Sequence, residues 1–307
     1  MMNTSLPSVR RTAAGTLYVI AATLLWSAVP ICVKFAIRAI DAYTICWIRF
    51  AVGASILYLI QKFQKTKKQF LKSDMVIIVA GALGIGGNYV LYIRGIQSTT
   101  ASAGNIVVQF EVVSLVILSY FVLKEQLTPS KIVGMVLTFS GVALALWNGS
   151  SISALLSSEN FFGNMLILIA APLWAVYGIA QKILADRGFS ASTTLAHIFF
   201  IAAILTFPIA AFGFDVHGAF TASVIIALIV VSVFGTALAY AMIGKSFQLL
   251  DASTVGMITC LLPIFTIINA RIFLHEKLTP IVGFGAVLVV AGIFVIGQAE
   301  ARAHAEL

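Results

Sequence analysis

Glu125-Gln126-Leu127-Thr128-Pro129 returns as Glu276-Lys277-Leu278-Thr279-Pro280, and each copy stands between two long apolar runs. The agreement extends in both directions. After each Pro, Gly134, Leu137 and Gly141 are answered by Gly285, Leu288 and Gly292, and before it Gly84, Tyr89, Gln97, Ala101 and Ser102 are answered by Gly235, Tyr240, Gln248, Ala252 and Ser253 at the same spacing. Near the start of each half, Leu25-Trp26 and Lys34 pair with Leu173-Trp174 and Lys182, at a register shifted by a short insertion. One unit is written twice, and a repeat half the length of the chain excludes short-period solenoids.

Hydrophobic residues make up 61% of the 307 positions and charged residues 10%, too little polar surface for a soluble domain of that length. Lipid must be part of the solvent. The net charge of +8 does not indicate a nucleic-acid partner, because nearly all the Lys and Arg residues fall in the short gaps between apolar runs, where membrane topology places them. Cys32, Cys46 and Cys260 lie within apolar segments without metal-ligand spacing; they read as buried hydrophobes, and no cofactor, disulfide framework or metal is implied. Arg10-Arg11 precedes an apolar run from Gly15 to about Phe35 that lacks a cleavage site and takes part in the repeat, so it reads as a helix and not an export signal.

A bilayer core needs about 20 apolar residues per helix. Ten runs qualify, near 15–36, 43–61, 75–95, 104–123, 130–148, 161–182, 193–213, 222–243, 252–274 and 281–298. The expected fold class is an all-α membrane protein of ten transmembrane helices, arranged as two five-helix repeats over 15–148 and 161–298. Arg10, Arg11, Lys62, Lys65, Lys67, Lys68, Lys72, Lys124, Lys131, Lys182, Arg187, Lys245 and Arg302 in the tail gather on one side, whereas the other has Arg38, Arg94, Arg271 and Lys277, and its connection from Ser150 to Asn160 has no basic residue. Both termini are therefore expected in the cytoplasm. With an odd number of helices per repeat, the second half enters the membrane from the opposite face, and inverted repeats are an architecture of alternating access.

Ionisable residues deep in a bilayer are functional candidates, usually with a partner. Counted from one membrane face, Arg49 and Glu111 lie at similar depth, roughly 9 and 10 Å at about 1.5 Å per residue. An Arg49–Glu111 ion pair is expected. Two roles are open to it, a charged element beside the substrate path with Glu111 exchanging protons, or a static lock between two helices. The repeat register puts His197 and Leu262 at the matching positions, so the pair is not duplicated. Trp26 and Trp174 fall near mid-helix instead of at the interfacial belts where membrane tryptophans concentrate. They, with Asn88, Tyr89, Gln109, Tyr177 and Tyr240, are the candidate substrate-binding residues, against the alternative of ordinary helix packing. The glycines at Gly81, Gly84, Gly86 and Gly87 suit close helix packing, since no strand or soluble helix flanks them as in a nucleotide loop. No HExxH, GxSxG or Walker pattern supports an enzyme or an ATP-driven pump.

The succession of Leu-Trp and Lys, then Arg49-Phe50, then a fourth helix running into Glu-x-Leu-Thr-Pro and a glycine-containing fifth, resembles the EamA-type unit of the drug/metabolite transporter superfamily over both halves. The resemblance implies a ten-helix inner-membrane carrier of small metabolites, often an exporter of amino acids or related compounds, with a central cavity between the halves. One departure stands out. Relatives commonly carry Pro in the fourth helix, as Pro263 does in the ninth here, whereas Val112 after Glu111 occupies the matching place.

Overall fold

The computed structural model describes residues 8–62, 69–124, 126–147, 158–246, 249, 258–259 and 261–305. In lipid a backbone must satisfy its own polar groups, and helices do so within one segment. The described chain follows that rule: α1 (Ser8–Ala36), α2 (Ala42–Lys62), α3 (Lys72–Ser98), α4 (Ala101–Val108), α5 (Phe110–Leu123), α6 (Pro129–Trp147), α7 (Glu159–Asp186), α8 (Ala191–Phe212), α9 (Ala222–Ile229), a π-helical stretch (Val230–Leu238), α10 (Ala239–Ser246), α11 (Leu262–Phe273) and α12 (Pro280–Ala305).

Eight apolar segments of 19 to 28 residues are long enough to cross a membrane, with α4 and α5 forming one and α9 through α10 another. The remaining apolar helices, Leu262–Phe273 and Pro280–Val295, are shorter. Eight of the ten expected spans are met among the described residues; residues 252–257 and 260 of the ninth run lie outside them, and the apolar stretch of α12 is the shorter Pro280–Val295.

The repeated pentapeptide is a helix stop followed by a helix start. Lys124 and His275 both take left-handed backbone, φ 59° and 54°, a conformation that ends a helix. Thr128 Oγ1 then accepts from Lys131 N and Thr279 Oγ1 from Val282 N, each at 3.3 Å, and Pro129 and Pro280 open the next helices at the position where a missing N–H does no harm. The long fourth run is broken at Gln109, whose N–H closes on the Ile106 carbonyl at 3.2 Å, and Leu261 N closes on Ile258 at the same distance just before α11. Both halves interrupt this helix at corresponding places, although only the second has a proline there, with Pro263 in the first turn of α11.

Contacts between the halves come in exchangeable sets. α1 packs against α9, the π-helical stretch and α10, while α7 packs against α3; α2 meets the π-helical stretch and α8 meets α3. The α6–α12 seam maps onto itself. A Cβ on Gly141 would lie 2.5 Å from the Gly285 carbonyl, and one on Gly292 would lie 2.5 Å from the Gly134 carbonyl, so both crossings require the absence of a side chain.

Links at both ends fix the helix connections. At one end Asp41 N donates to the Asp215 carbonyl at 3.1 Å, Asp215 N to Asp41 Oδ2 at 3.2 Å, and His217 N to the Ala39 carbonyl at 3.1 Å. The exposed His217 ring spans the Asp215 carboxylate at 3.1 Å and the Ile37 carbonyl at 2.9 Å. At the other end Arg187 pairs with Asp74 at 2.5 Å, and Phe70 stacks on Phe189 at 4.5 Å.

Two outcomes follow from these contacts. Gly141→Ala should lower stability by about 1–3 kcal/mol, the usual penalty for overpacking, whereas Gly86→Ala, whose Cβ would meet nothing closer than 3.7 Å, should be tolerated; thermal unfolding in detergent separates the two. His217 is held above its ordinary pKa of 6.5, first by the Ile37 carbonyl and then by Asp215 and Asp41. Its charged ring favours the folded state, so this contribution is full below pH 6.5 and disappears as pH rises through the raised value. The melting temperature of the parent should therefore lose its advantage over His217→Gln on alkalinisation, and a difference that stays constant with pH would contradict the assignment.

Candidate functional site

Aromatic side chains from both halves meet at the centre of the helix packing. Tyr240 of α10 is the hub. Its ring lies 5.2 Å from Trp26, 5.3 Å from Phe199 and 6.0 Å from Tyr177, all edge-on, the arrangement that ring quadrupoles favour. Tyr89 extends the cluster to Phe50 at 5.6 Å and Tyr92 at 5.9 Å, and Trp174 joins through Tyr177 at 6.1 Å. Tyr89 and Tyr240 are the same position of the two repeats, 151 residues apart, and their hydroxyls touch at 2.9 Å. A position of one repeat thus bonds its own counterpart in the other.

The π-helical stretch supplies the second layer. Such widened turns leave carbonyls displaced from the α ladder and recur at functional sites. Here the Gly235 carbonyl accepts from Trp26 Nε1 at 3.2 Å, and Thr236, whose hydroxyl donates to the Val231 carbonyl at 2.8 Å, accepts from Arg49 Nε at 3.0 Å. Gly235 must be glycine for α1 to come this close, since a Cβ would lie 2.6 Å from Val29 Cγ2.

The expected Arg49–Glu111 ion pair is not formed. Glu111 Oε1 accepts from Asn88 Nδ2 at 2.9 Å, and the same amide donates to the Ala170 carbonyl at 2.9 Å. Arg49 instead lies over the Tyr89 ring, with Cζ 3.6 Å from its centroid, and reaches across to Thr236. Two features separate the charges. Depth counting assumed one continuous helix, but the break at Gln109 resets the phase of α5, in whose first turn Glu111 stands. Asn88 and Tyr89 are consecutive on α3 and point about 100° apart, which holds their partners on different sides of that helix.

The structure thus joins Trp26, Tyr89, Tyr177, Trp174 and Tyr240 in one aromatic chain, and Asn88 with Glu111 beside it. Gln109 stands apart, buried in the helix break. Sequence reading missed Thr236, Phe199 and the pair formed by Thr194 and Gln181, in which the hydroxyl donates to Gln181 Oε1 at 2.7 Å; a buried hydroxyl in an otherwise apolar run was the available signal. It also missed a latch between the halves. The Glu276 carboxylate accepts from Ala101 N at 2.7 Å, Ser102 N at 3.1 Å and Ser102 Oγ at 2.8 Å, capping α4 from the other half of the chain. A carboxylate complements the exposed N–H groups and dipole of a helix start. Beside it a cavity of about 380 Å³ is lined by Ser102, Ile267, Arg271, Glu276, Lys277 and Leu278.

The sequence pattern of the EamA-like transporter family matches residues 13–147 and again residues 161–298. The chain belongs to the EamA-like transporter family. Similar EamA relatives include the uncharacterized inner membrane transporter YhbE of Escherichia coli K12, 24% identical over 291 residues that cover 91% of this chain and 89% of the relative. An uncharacterized transporter of Archaeoglobus fulgidus is 25% identical, covering 88% and 93%, and YvbV of Bacillus subtilis is 27% identical, covering 81% and 80%. A crystal structure superposes with a TM-score of 0.68 at 16% identity over 94% of this chain and 98% of its own, which establishes a shared fold. This EamA protein is accordingly a multi-pass membrane transporter.

The hydroxyl contact at the centre gives a direct check. Tyr89→Phe or Tyr240→Phe alone should destabilise by about 1 kcal/mol, because each leaves a part-buried hydroxyl without its mate. The double variant should lose less than the sum of the two. Strict additivity in a thermal-unfolding cycle would show that the hydroxyls do not interact.

Proposed function

We propose that this EamA transporter is a secondary carrier of small organic metabolites, an exporter in its expected direction, working by alternating access in the inner membrane with both termini in the cytoplasm. In this reading ten helices form two inverted five-helix repeats over 15–148 and 161–298. The observation that carries it is the meeting of Tyr89 with its repeat counterpart Tyr240. Contacts that survive exchange of the halves suit a protein whose two conformations are mirror uses of one unit. The charge distribution of the connections and the inner-membrane name of the Escherichia coli relative support the placement.

Trp26, Asn88, Tyr89, Gln109, Trp174, Tyr177 and Tyr240 are the proposed substrate contacts. The aromatic chain offers a face for an apolar body, and the hydroxyl and amide tips offer orientation. Glu111 is the proposed proton carrier, since a carboxyl held by one amide within the helix packing can take up a proton without displacing a salt-bridge partner. In this reading the bonds from Glu276 to the start of α4 hold one side of the carrier shut. On the other side Arg187–Asp74 ties the end of α7 to the start of α3, so in this reading opening on either side releases one link.

In proteoliposomes, Trp26→Ala and Trp174→Ala should each reduce metabolite flux by about tenfold, equivalent to about 1.4 kcal/mol. A pH gradient should drive accumulation in the parent and not in Glu111→Gln. A Ser102→Cys, Glu276→Cys protein lacking its other cysteines should stop when oxidised and recover with reductant. Unimpaired flux in the oxidised protein would defeat the latch, and a normal pH response in Glu111→Gln would remove the coupling role.

A further inference from the structure

Arg49 has no exposed surface, and its Nη1 and Nη2 have no hydrogen-bond partner among the described residues. A guanidinium stays charged at any physiological pH and carries five donors in a rigid fork. Only Nε is used, on Thr236. The ring face of Tyr89 offsets part of the lost hydration through a cation–π contact, but a ring face accepts no hydrogen bond of the strength an oxyanion would. Among the described residues no carboxylate bonds its Nη groups: Glu111 is held by Asn88, Glu276 caps α4, and Asp41, Asp74 and Asp215 are engaged at the helix connections. Thr236 fixes one edge of the fork and leaves the other, with both Nη groups, for bidentate recognition.

We propose that Arg49 anchors a carboxylate of the transported solute, which makes the substrate class small monocarboxylates with an apolar or aromatic body. The assignment rests on the alternating-access reading and adds the chemistry of the solute to it. Charge sets the valence. One guanidinium neutralises one negative charge, and the surrounding Phe50, Tyr89, Phe199 and Tyr240 rings provide no second cation for a dianion such as a phosphate monoester. Position sets access. The guanidinium lies between α2 and α3 of the first half and the π-helical stretch of the second, so separation of the halves uncovers the unused nitrogens while Tyr89 keeps the fork in plane. The carboxylate then docks beside the aromatic chain, with the solute's body against Trp26 and Tyr240. The second repeat has His197 at the position of Arg49, bonded through Nδ1 to the carbonyl of Thr193 on its own helix, and therefore offers no equivalent fork. One anchor per carrier is expected.

The test is ligand-induced thermal stabilisation of the full-length protein in detergent, with aliphatic and aromatic monocarboxylates, their neutral amides and phosphate monoesters as probes. Monocarboxylates should raise the melting temperature, and the matching amides and phosphate monoesters should not. Arg49→Lys keeps the charge without the fork and should weaken the apparent affinity about tenfold or more; Thr236→Val, which leaves the guanidinium but frees its Nε edge, should weaken it less. The second variant keeps the test alive if Arg49→Lys does not fold. Equal stabilisation by amides, preference for phosphate monoesters, or unchanged affinity in both variants would overturn the anchor. The two readings fail separately. Trp26-dependent flux of neutral or cationic solutes without carboxylate binding would leave the transporter standing and remove the anchor, while carboxylate binding without flux in proteoliposomes would keep the anchor and remove alternating access.

Discussion

A helix that stops inside a membrane protein must find partners for its free N–H groups within the protein, because hydrocarbon supplies none. The start of α4 illustrates the solution, for the N–H groups of Ala101 and Ser102 end on the carboxylate of Glu276, far away in sequence. A local need of the backbone thereby becomes a bond between the halves. The same demand acts at the centre. The part-buried hydroxyls of Tyr89 and Tyr240 satisfy each other, and the carbonyl of Gly235 is satisfied by the indole of Trp26. The contacts that hold this protein together are therefore also the contacts that any relative motion of its halves has to break.

Much of this was legible in the sequence, and for a definite reason. Apolar run length reports a span directly, and duplication turns each recognised position into two. The register that paired Tyr89 with Tyr240 came from glycines and from the pentapeptide, and the two hydroxyls do meet. Where reading failed, the signal was not local. Glu276 was recognisable as part of a motif, but its partners at Ala101 and Ser102 become visible only in three dimensions. The Arg49–Glu111 pairing failed because depth along an ideal helix was used across Gln109, where the helix is interrupted without a proline to announce it. The π-helical stretch Val230–Leu238 is rich in β-branched and small residues and carries no composition that distinguishes it from an ordinary apolar helix.

The two halves share a backbone plan and differ in charge. The first contributes Arg49 and Glu111, whereas the second has His197 and Leu262 at those positions. Duplication supplies the exchangeable scaffold, and divergence within it supplies the chemistry. This division also explains why family membership is read easily from the whole chain, while the proposed specificity turns on a few side chains around Tyr89.

The glycine crossings of α6 and α12 have a thermodynamic consequence of their own. Gly141 against Gly285 and Gly292 against Gly134 change places when the halves do, so their contribution to the free energy is identical in two states related by that exchange. In the proposed cycle such a seam acts as an unbiased fulcrum. It adds nothing to the difference between the states, however tightly it packs, because only unequal interactions shift an equilibrium. In the proposed alternating-access cycle, a preference for one face therefore comes from the features the repeat does not duplicate, Arg49, Glu111 and the unequal surroundings of Trp26 and Trp174.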